Sequence, residues 1–260
     1  MNEFQPQLQV TQHFDDVSRK YFNWYAANDS GGHSFRIRKV RCMELLTALP
    51  RGSRVLDVGC GPATMVQELL DRGYDVTGTD IAPQMIDECK NRFAKNPHVT
   101  FAVAPANKQP VENASQDAVT AMGLLEYLNN EDEVLQEFQR ILKPGGLALI
   151  TYPHYWSPAR AWDRIGSVFA RPILALTGRK TLSDSIKHRE YHLHQTRQMI
   201  QAAGFEIQDV VFYNFKVGLR PLDSLFPALF VKIAEKLELL CRAPGLRRIG
   251  TGFIVAARRP

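Results

Sequence analysis

The run Arg54-Val-Leu-Asp-Val-Gly-Cys-Gly-Pro-Ala63 constrains this chain more than any other segment. A short β-branched and aliphatic stretch ends in an acid, passes into a Gly-x-Gly turn and continues into a periodic, helix-like segment. That order predicts a buried parallel strand feeding a tight turn whose backbone approaches a ligand closely. Gly59 and Gly61 suit the turn because a side chain there would block the approach or forbid the backbone angles. Asp57, just before the turn, narrows the chemistry, since an acid beside such a cradle suits an ammonium group better than a pyrophosphate. A second strand ending in Val76-Thr-Gly-Thr-Asp80 puts another acid about two dozen residues on, where nucleoside-binding folds hold a ribose.

The rest of the chain alternates in the same way. Strand patterns cover 55–58, 75–79, 99–103, 118–122 and 147–152, and helical patterns run over 34–49 and from about Ala63, Pro83 and Glu131. The last helix is well signalled. Asn130 is a suitable N-cap with Glu133 three positions on, and Val134, Leu135, Phe138, Ile141 and Leu142 share one face. Lys143-Pro-Gly-Gly146 supplies a breaker and a turn after it. Strands alternating with helices predict a parallel sheet covered on both faces. Ligands of such sheets lie outside the carboxyl ends of the strands. Asp57, Asp80, Met122 and His154 all fall at such ends.

Leu56-Asp-Val-Gly-Cys-Gly-Pro-Ala63 resembles the first motif of the class I S-adenosylmethionine-dependent methyltransferases. Met122-Gly-Leu-Leu-Glu-Tyr-Leu128 resembles their fourth-strand segment, and Arg140-Ile-Leu-Lys-Pro-Gly-Gly146 their lead into the fifth strand. Thr120-Ala-Met-Gly-Leu-Leu-Glu126 is similar to quinone-pathway and related small-molecule O-methyltransferases. The likeness is good over 34–152 and loose elsewhere. It implies one α/β domain: a doubly wound, mostly parallel, seven-stranded Rossmann-like sheet with helices on both faces. Within it, 1–34 form an N-terminal helical cap, 35–152 the cofactor-binding core and 153–190 a helical lid insertion. Residues 191–260 carry a helix, an amphipathic insertion and two closing strands (205–215 and 251–257), antiparallel at the sheet edge in the family.

The implied cofactor is S-adenosylmethionine. Asp80 is expected to take both ribose hydroxyls, and Asp57 the ammonium end, directly or through water. Gly59 and Gly61 let the backbone touch the methionine portion. Ile81 and Met122 would sandwich the adenine, with ordinary core packing as the other reading, and Arg38 would pair with the cofactor carboxylate unless it is simply solvated. Two positions depart from the family. Pro105 stands where an acid often binds the adenine amino group, with Asn107 as a substitute, and Tyr127 replaces the usual histidine of the fourth-strand motif.

His154, just past the fifth strand, is the positional candidate for a general base if the acceptor arrives protonated; a structural histidine is the other reading. His188, His192 and His194 crowd around Arg189-Glu-Tyr191, yet their spacing predicts no metal site. The stretch 155–187 is rich in Trp, Ile, Leu and Phe and reads as a lid over an apolar acceptor pocket or as a small core of its own. Segment 222–242 puts Leu222, Leu225, Phe226, Leu229, Phe230, Ile233, Leu237 and Leu240 along one stripe, for a core, a homodimer contact or a membrane surface.

At 260 residues, 45% hydrophobic and 23% charged, the chain can bury a full core. It shows no membrane-spanning run, no signal-peptide pattern and four cysteines without paired spacing, so the expected setting is a reducing cytoplasm. The net charge of +5 gathers at Arg36, Arg38, Lys39 and Arg41 and near the C-terminus. No nucleic-acid module accompanies it, so nucleic acid is not an expected partner. The expectation is a methyltransferase acting on a small or medium-sized, largely apolar organic molecule, at oxygen. Other readings are a lipid or membrane-associated substrate, a non-catalytic S-adenosylmethionine-binding protein and a nicotinamide-dependent oxidoreductase. The last would usually show a third glycine where this chain has Thr64.

Overall fold

The computed structural model describes residues 27, 29–165, 189–216, 226–239, 243 and 245–260. Most of the expected N-terminal cap, most of the lid, His188, Leu222, Leu225 and Leu240 therefore lie outside the described residues.

Seven strands form one sheet: β1 Arg54–Val58, β2 Asp75–Asp80, β3 Val99–Val103, β4 Gln116–Ala121, β5 Leu142–Pro153, β6 Glu206–Tyr213 and β7 Gly252–Arg258. The order is β3-β2-β1-β4-β5-β7-β6. Neighbours are parallel from β3 through β5, and β7 runs antiparallel to both β5 and β6. Of the two closing strands only β7 is antiparallel to the rest, and it lies inside the sheet; β6 forms the edge. The helices are α1 Ser30–Leu45, α2 Thr64–Asp71, α3 Pro83–Arg92, α4 Glu131–Ile141, α5 Leu193–Ala202 and α6 Pro227–Leu237.

Strand alternation sorts the side chains into two cores. Leu56, Val58, Val119, Ala121, Ala148, Ile150 and Tyr152 pack under Val134, Phe138 and Ile141 of α4 and Ile200 of α5. Val55, Val76, Ala118 and Leu149 pack under Leu46 just after α1, Leu69 of α2 and Ile86 of α3. By the same alternation Asp57 and Thr120 share the α1 side, whereas His154 keeps step with Ile150 and Tyr152 on the α4/α5 side. This parity decides which candidates meet.

Several boundaries differ from expectation for local reasons. Helix α1 starts four residues earlier than the pattern over 34–49, because the Asp29 carboxylate caps it by accepting from Gly32 N at 2.8 Å. Asn130 makes no side-chain cap bond; its amide donates to Glu133 Oε2 at 2.8 Å instead. Lys143–Gly146 is part of β5, and the break falls at Gly145 (φ 78°). Helix α6 turns Val231 and Ala234 inward, with Glu238 buried just past its end, and Phe226 and Leu229 are exposed, so the expected apolar stripe packs only in part.

The basic cluster of α1 is largely consumed by the fold. Arg36 donates to Ala27 O at 2.6 Å, Lys39 pairs with Glu68 at 2.8 Å, and Arg41 with Glu44 at 2.9 Å. Among the described residues no helix is long and apolar enough to cross a membrane.

Candidate functional site

The site is built at the carboxyl ends of β1, β2 and β4. The chain leaves β1 through a turn in which Gly59 (φ 69°), Gly61 (φ 49°) and Ala63 (φ 56°) are all left-handed. A Cβ on Gly59 would stand 2.9 Å from Leu124 Cδ1, which would have to shift, and the left-handed angle strains any side chain placed there. Asp80 holds the turn from β2. Its Oδ2 accepts from Gly61 N at 2.9 Å and its Oδ1 from Ala82 N at 3.0 Å. Both Cys60 and Cys89 direct their thiols to the Gly61 carbonyl, at 3.8 and 3.3 Å.

Asp57 is 2% exposed. In register it faces Gly78 on β2 and Thr120 on β4, and Thr120 Oγ1 donates to its Oδ1 at 2.6 Å. Burial pushes its carboxyl up to about 7; the Thr120 bond and the Arg38 charge oppose that rise, and Asp80 adds to it. Arg38 is itself buried, against the backbone after β4: a Cβ on Gly123 would lie 2.5 Å from Arg38 Nη1. Gly123 therefore makes room for the guanidinium, and its N–H donates to Thr151 Oγ1 at 2.8 Å. The reading of Arg38 as a solvated surface arginine does not hold. Ile81 and Met122 are half-buried at the ends of β2 and β4, and Met122 packs on the α1–α3 core.

Pro105 and its candidate substitute Asn107 are both engaged within the protein. Asn107 donates to Glu133 Oε2 at 2.7 Å, and Pro105 O accepts from Gln109 Nε2 at 2.8 Å. Gln109 Oε1 in turn accepts from Thr79 Oγ1 at 2.8 Å. The Asn107 amide is thus drawn towards α4.

His154 stands apart from the other candidates. It is 3% exposed, its Nδ1 lies 3.2 Å from Gly250 O, and its ring packs edge-on against Phe212 and Phe253 at 5.2 and 5.8 Å. Burial holds its pKa below the ordinary histidine range. Its surroundings are those of a structural histidine. His192 packs against Tyr155 with centroids 4.3 Å apart, and among the described residues no cluster could hold a metal ion.

Sequence reasoning missed Glu126. It lies in the 3-10 turn Leu125–Tyr127, is 7% exposed, and its Oε2 is buried with no hydrogen-bond partner among the described residues. The returning chain clamps this turn. Arg189 N donates to Glu126 O at 2.9 Å, Tyr191 Oη to Leu125 O at 3.0 Å, and both side chains bind the Glu131 carboxylate. The only advance signal was the place of Glu126 in the motif after β4.

Strand order, the left-handed turn and the acids at the ends of β1 and β2 are those of a class I, Rossmann-like, S-adenosylmethionine-dependent methyltransferase core, which this chain resembles. Residues 55–146 match the family described as "Methyltransferase domain". The chain is 28% identical over 163 residues to a ubiquinone biosynthesis O-methyltransferase of Xanthomonas axonopodis pv. citri, covering 62% of this chain and 66% of that protein. It is 34% identical over 144 residues to a demethylmenaquinone methyltransferase of Renibacterium salmoninarum, covering 55% and 57%. It thus spans about three-fifths of the length of these relatives. In fold it resembles a phosphoethanolamine N-methyltransferase of Haemonchus contortus bound to phosphomonomethylethanolamine and S-adenosylhomocysteine. That likeness has a TM-score of 0.65 and 19% identity, and covers all of this chain and 61% of the other.

Proposed function

We propose that this protein transfers the methyl group of S-adenosylmethionine to the oxygen of a small or medium-sized, largely apolar organic molecule. The observation that carries this reading is the convergence of buried Asp57, the Gly59–Gly61 turn and Asp80 at adjacent strand ends. This donor set fits the cofactor. A carboxylate offers about four acceptor sites, so Asp80 can hold the turn and take ribose hydroxyls as well. A buried acid whose pKa is raised gains from meeting an ammonium, which is the role assigned to Asp57. Arg38 would balance the cofactor carboxylate, with Ile81 and Met122 against the adenine. When bound, the cofactor supplies a methyl group already activated by a positive sulfur. The chain's part is then to position the acceptor and exclude water.

The ubiquinone biosynthesis O-methyltransferase supports transfer to oxygen, and together with the demethylmenaquinone methyltransferase it supports a small, quinone-like acceptor. An apolar acceptor also suits Tyr155, Trp156, Trp162 and Ile165 at the start of the insertion, the last three of which are exposed. Calorimetry with S-adenosylhomocysteine and with NAD tests the cofactor. The expected result is micromolar affinity for the former and none for the latter; the reverse would return the fold to the oxidoreductases. Transfer of labelled methyl to a panel of phenols, amines, RNA and protein tests the acceptor, and labelling of RNA or protein alone would overturn it.

A further inference from the structure

The surroundings of Glu126 come from every element packed on it. Arg38 reaches it from α1 and Arg160 from the helical residues after β5, and both charges act on its carboxyl. Tyr127 lies in its own turn, Tyr152 on β5 and Tyr213 on β6, and each of these phenols feels the Glu126 charge. Burial pushes the Glu126 carboxyl above the ordinary glutamate range, and the two arginines pull it back. The same burial keeps the Tyr127 phenol protonated and moves Tyr213 up to about 12. Neither phenol can therefore take a proton near neutral pH, and His154 belongs to the aromatic cluster with Phe212 and Phe253.

A carboxyl group with an unpaired buried oxygen is costly unless another molecule completes it. Groups of this kind, perturbed by burial and held beside a fixed charge, mark functional sites. Arg38 lies on Gly123 and acts on both Asp57 and Glu126, so it links the two acids across the end of β4. The Glu126 turn is also the one clamped by Arg189 and Tyr191: Arg189 N donates to Glu126 O and Tyr191 Oη to Leu125 O, which fixes the carboxyl's place at the end of β4.

We propose that Glu126 is the acid–base group of the acceptor site and accepts the proton of the acceptor's hydroxyl as that oxygen is methylated. The O–H bond breaks and its proton passes to Glu126, then to water. The electron pair left on oxygen makes the new O–C bond, and the pair of the broken C–S bond stays on sulfur. Charges and atoms balance without an oxidant or a metal. This role rests on the methyl-transfer reading above.

The test compares the parent protein with Glu126→Gln and Glu126→Asp, using catechol and 4-nitrocatechol as acceptor probes. The second probe ionises near neutral pH without help. Calorimetry with S-adenosylhomocysteine should give the same affinity for all three proteins; no binding to the parent would sink the cofactor reading. Infrared titration of the parent should show a protonated-carboxyl band that persists above the ordinary glutamate range and is missing from Glu126→Gln. A band titrating within the ordinary range would mean a solvated carboxyl and overturn the role. Methylation of catechol should fall ~10²-fold or more in Glu126→Gln, with a much smaller fall for 4-nitrocatechol and partial recovery in Glu126→Asp. Equal losses with both probes would make Glu126 structural, and unchanged rates would remove it from the chemistry. A parent that binds S-adenosylhomocysteine but methylates neither probe overturns the phenolic acceptor and this role together.

Discussion

Asp57 lies beneath the turn with a single hydroxyl donating to it, and its carboxyl is pushed from 3.8 to about 7. Between those values the folded chain holds a proton that the unfolded chain has released. Its contribution to stability therefore falls as pH rises from about 4 to about 7, by an amount on the order of a few kcal/mol. Asp57→Asn keeps an acceptor for Thr120 and removes the charge. It is expected to melt higher than the parent at pH 8, with the gap closing towards pH 5. Binding should run the other way. If the ammonium of S-adenosylhomocysteine meets the ionised acid as proposed, affinity of the parent should drop as pH falls through about 7, while the variant binds weakly at every pH. A parent affinity flat from pH 5.5 to 8.5 would remove Asp57 from the ammonium end. Asp80→Ala should cost roughly 1.5–3 kcal/mol of binding, read by calorimetry, and the Gly61 and Ala82 N–H groups lose their acceptor with it. Asp57, Asp80 and the glycines were legible in the sequence because the turn is a local motif with its own chemistry. Glu126 was not, since its isolation depends on Arg38, Arg160 and Tyr213 arriving from distant segments. For His154 the sequence left a base and a structural histidine open, because strand parity, not distance past the strand, decides which face it joins.

Elements were legible where period and composition agree, as in β1, β2, β3 and the apolar face of α4. Their ends were less so. Asp29 caps α1 four residues before the periodic pattern begins, because the Ser-Gly-Gly stretch carries no apolar signal yet can be helical once capped. Lys143-Pro-Gly-Gly146 reads as a turn, and in the sheet it is an irregularity within β5: the pairing with β4 steps from Leu142 to Leu147, the pairing with β7 begins at Leu147, and Gly145 is left-handed. The element on which the proposed function rests most is the short turn between β1 and α2. Gly59→Val would force a β-branched side chain into a left-handed angle and drive its Cβ to 2.9 Å from Leu124. Expected are a lower melting temperature, near-parental circular dichroism at 20 °C and no measurable binding of S-adenosylhomocysteine. Full binding in that variant would show that the turn can open without touching the ligand. Outright unfolding would make Gly59 a structural glycine first.

At the scale of the whole molecule, the parallel part of the sheet follows from alternating strands and helices, but the place of β7 between β5 and β6 does not. Nothing in Gly252–Arg258 distinguishes an inner strand from an edge strand except that six of its seven residues are buried. The chain is drawn together from its ends by one acid. Glu238, just past α6, accepts from Phe215 N at 3.0 Å and faces Arg41 at 3.6 Å and His33 at 3.7 Å, while its own carbonyl accepts from Arg41 at 2.8 Å. Helix α1, which carries Arg38 into the site, is thereby fixed to the segment after β6. Glu238→Ala leaves a buried N–H without its acceptor and takes a carboxylate from Arg41, which keeps Glu44. The expected loss is about 2–3 kcal/mol, a fall of roughly 5–10 °C in melting temperature for a chain of this size. Glu238→Gln preserves the acceptor for Phe215 and should lose about half as much. Urea unfolding of the two variants decides between a clamp and a bystander. If Glu238→Ala unfolds at the parental urea concentration, α1 is held by its core packing alone, and the position of Arg38 owes nothing to the C-terminal segment.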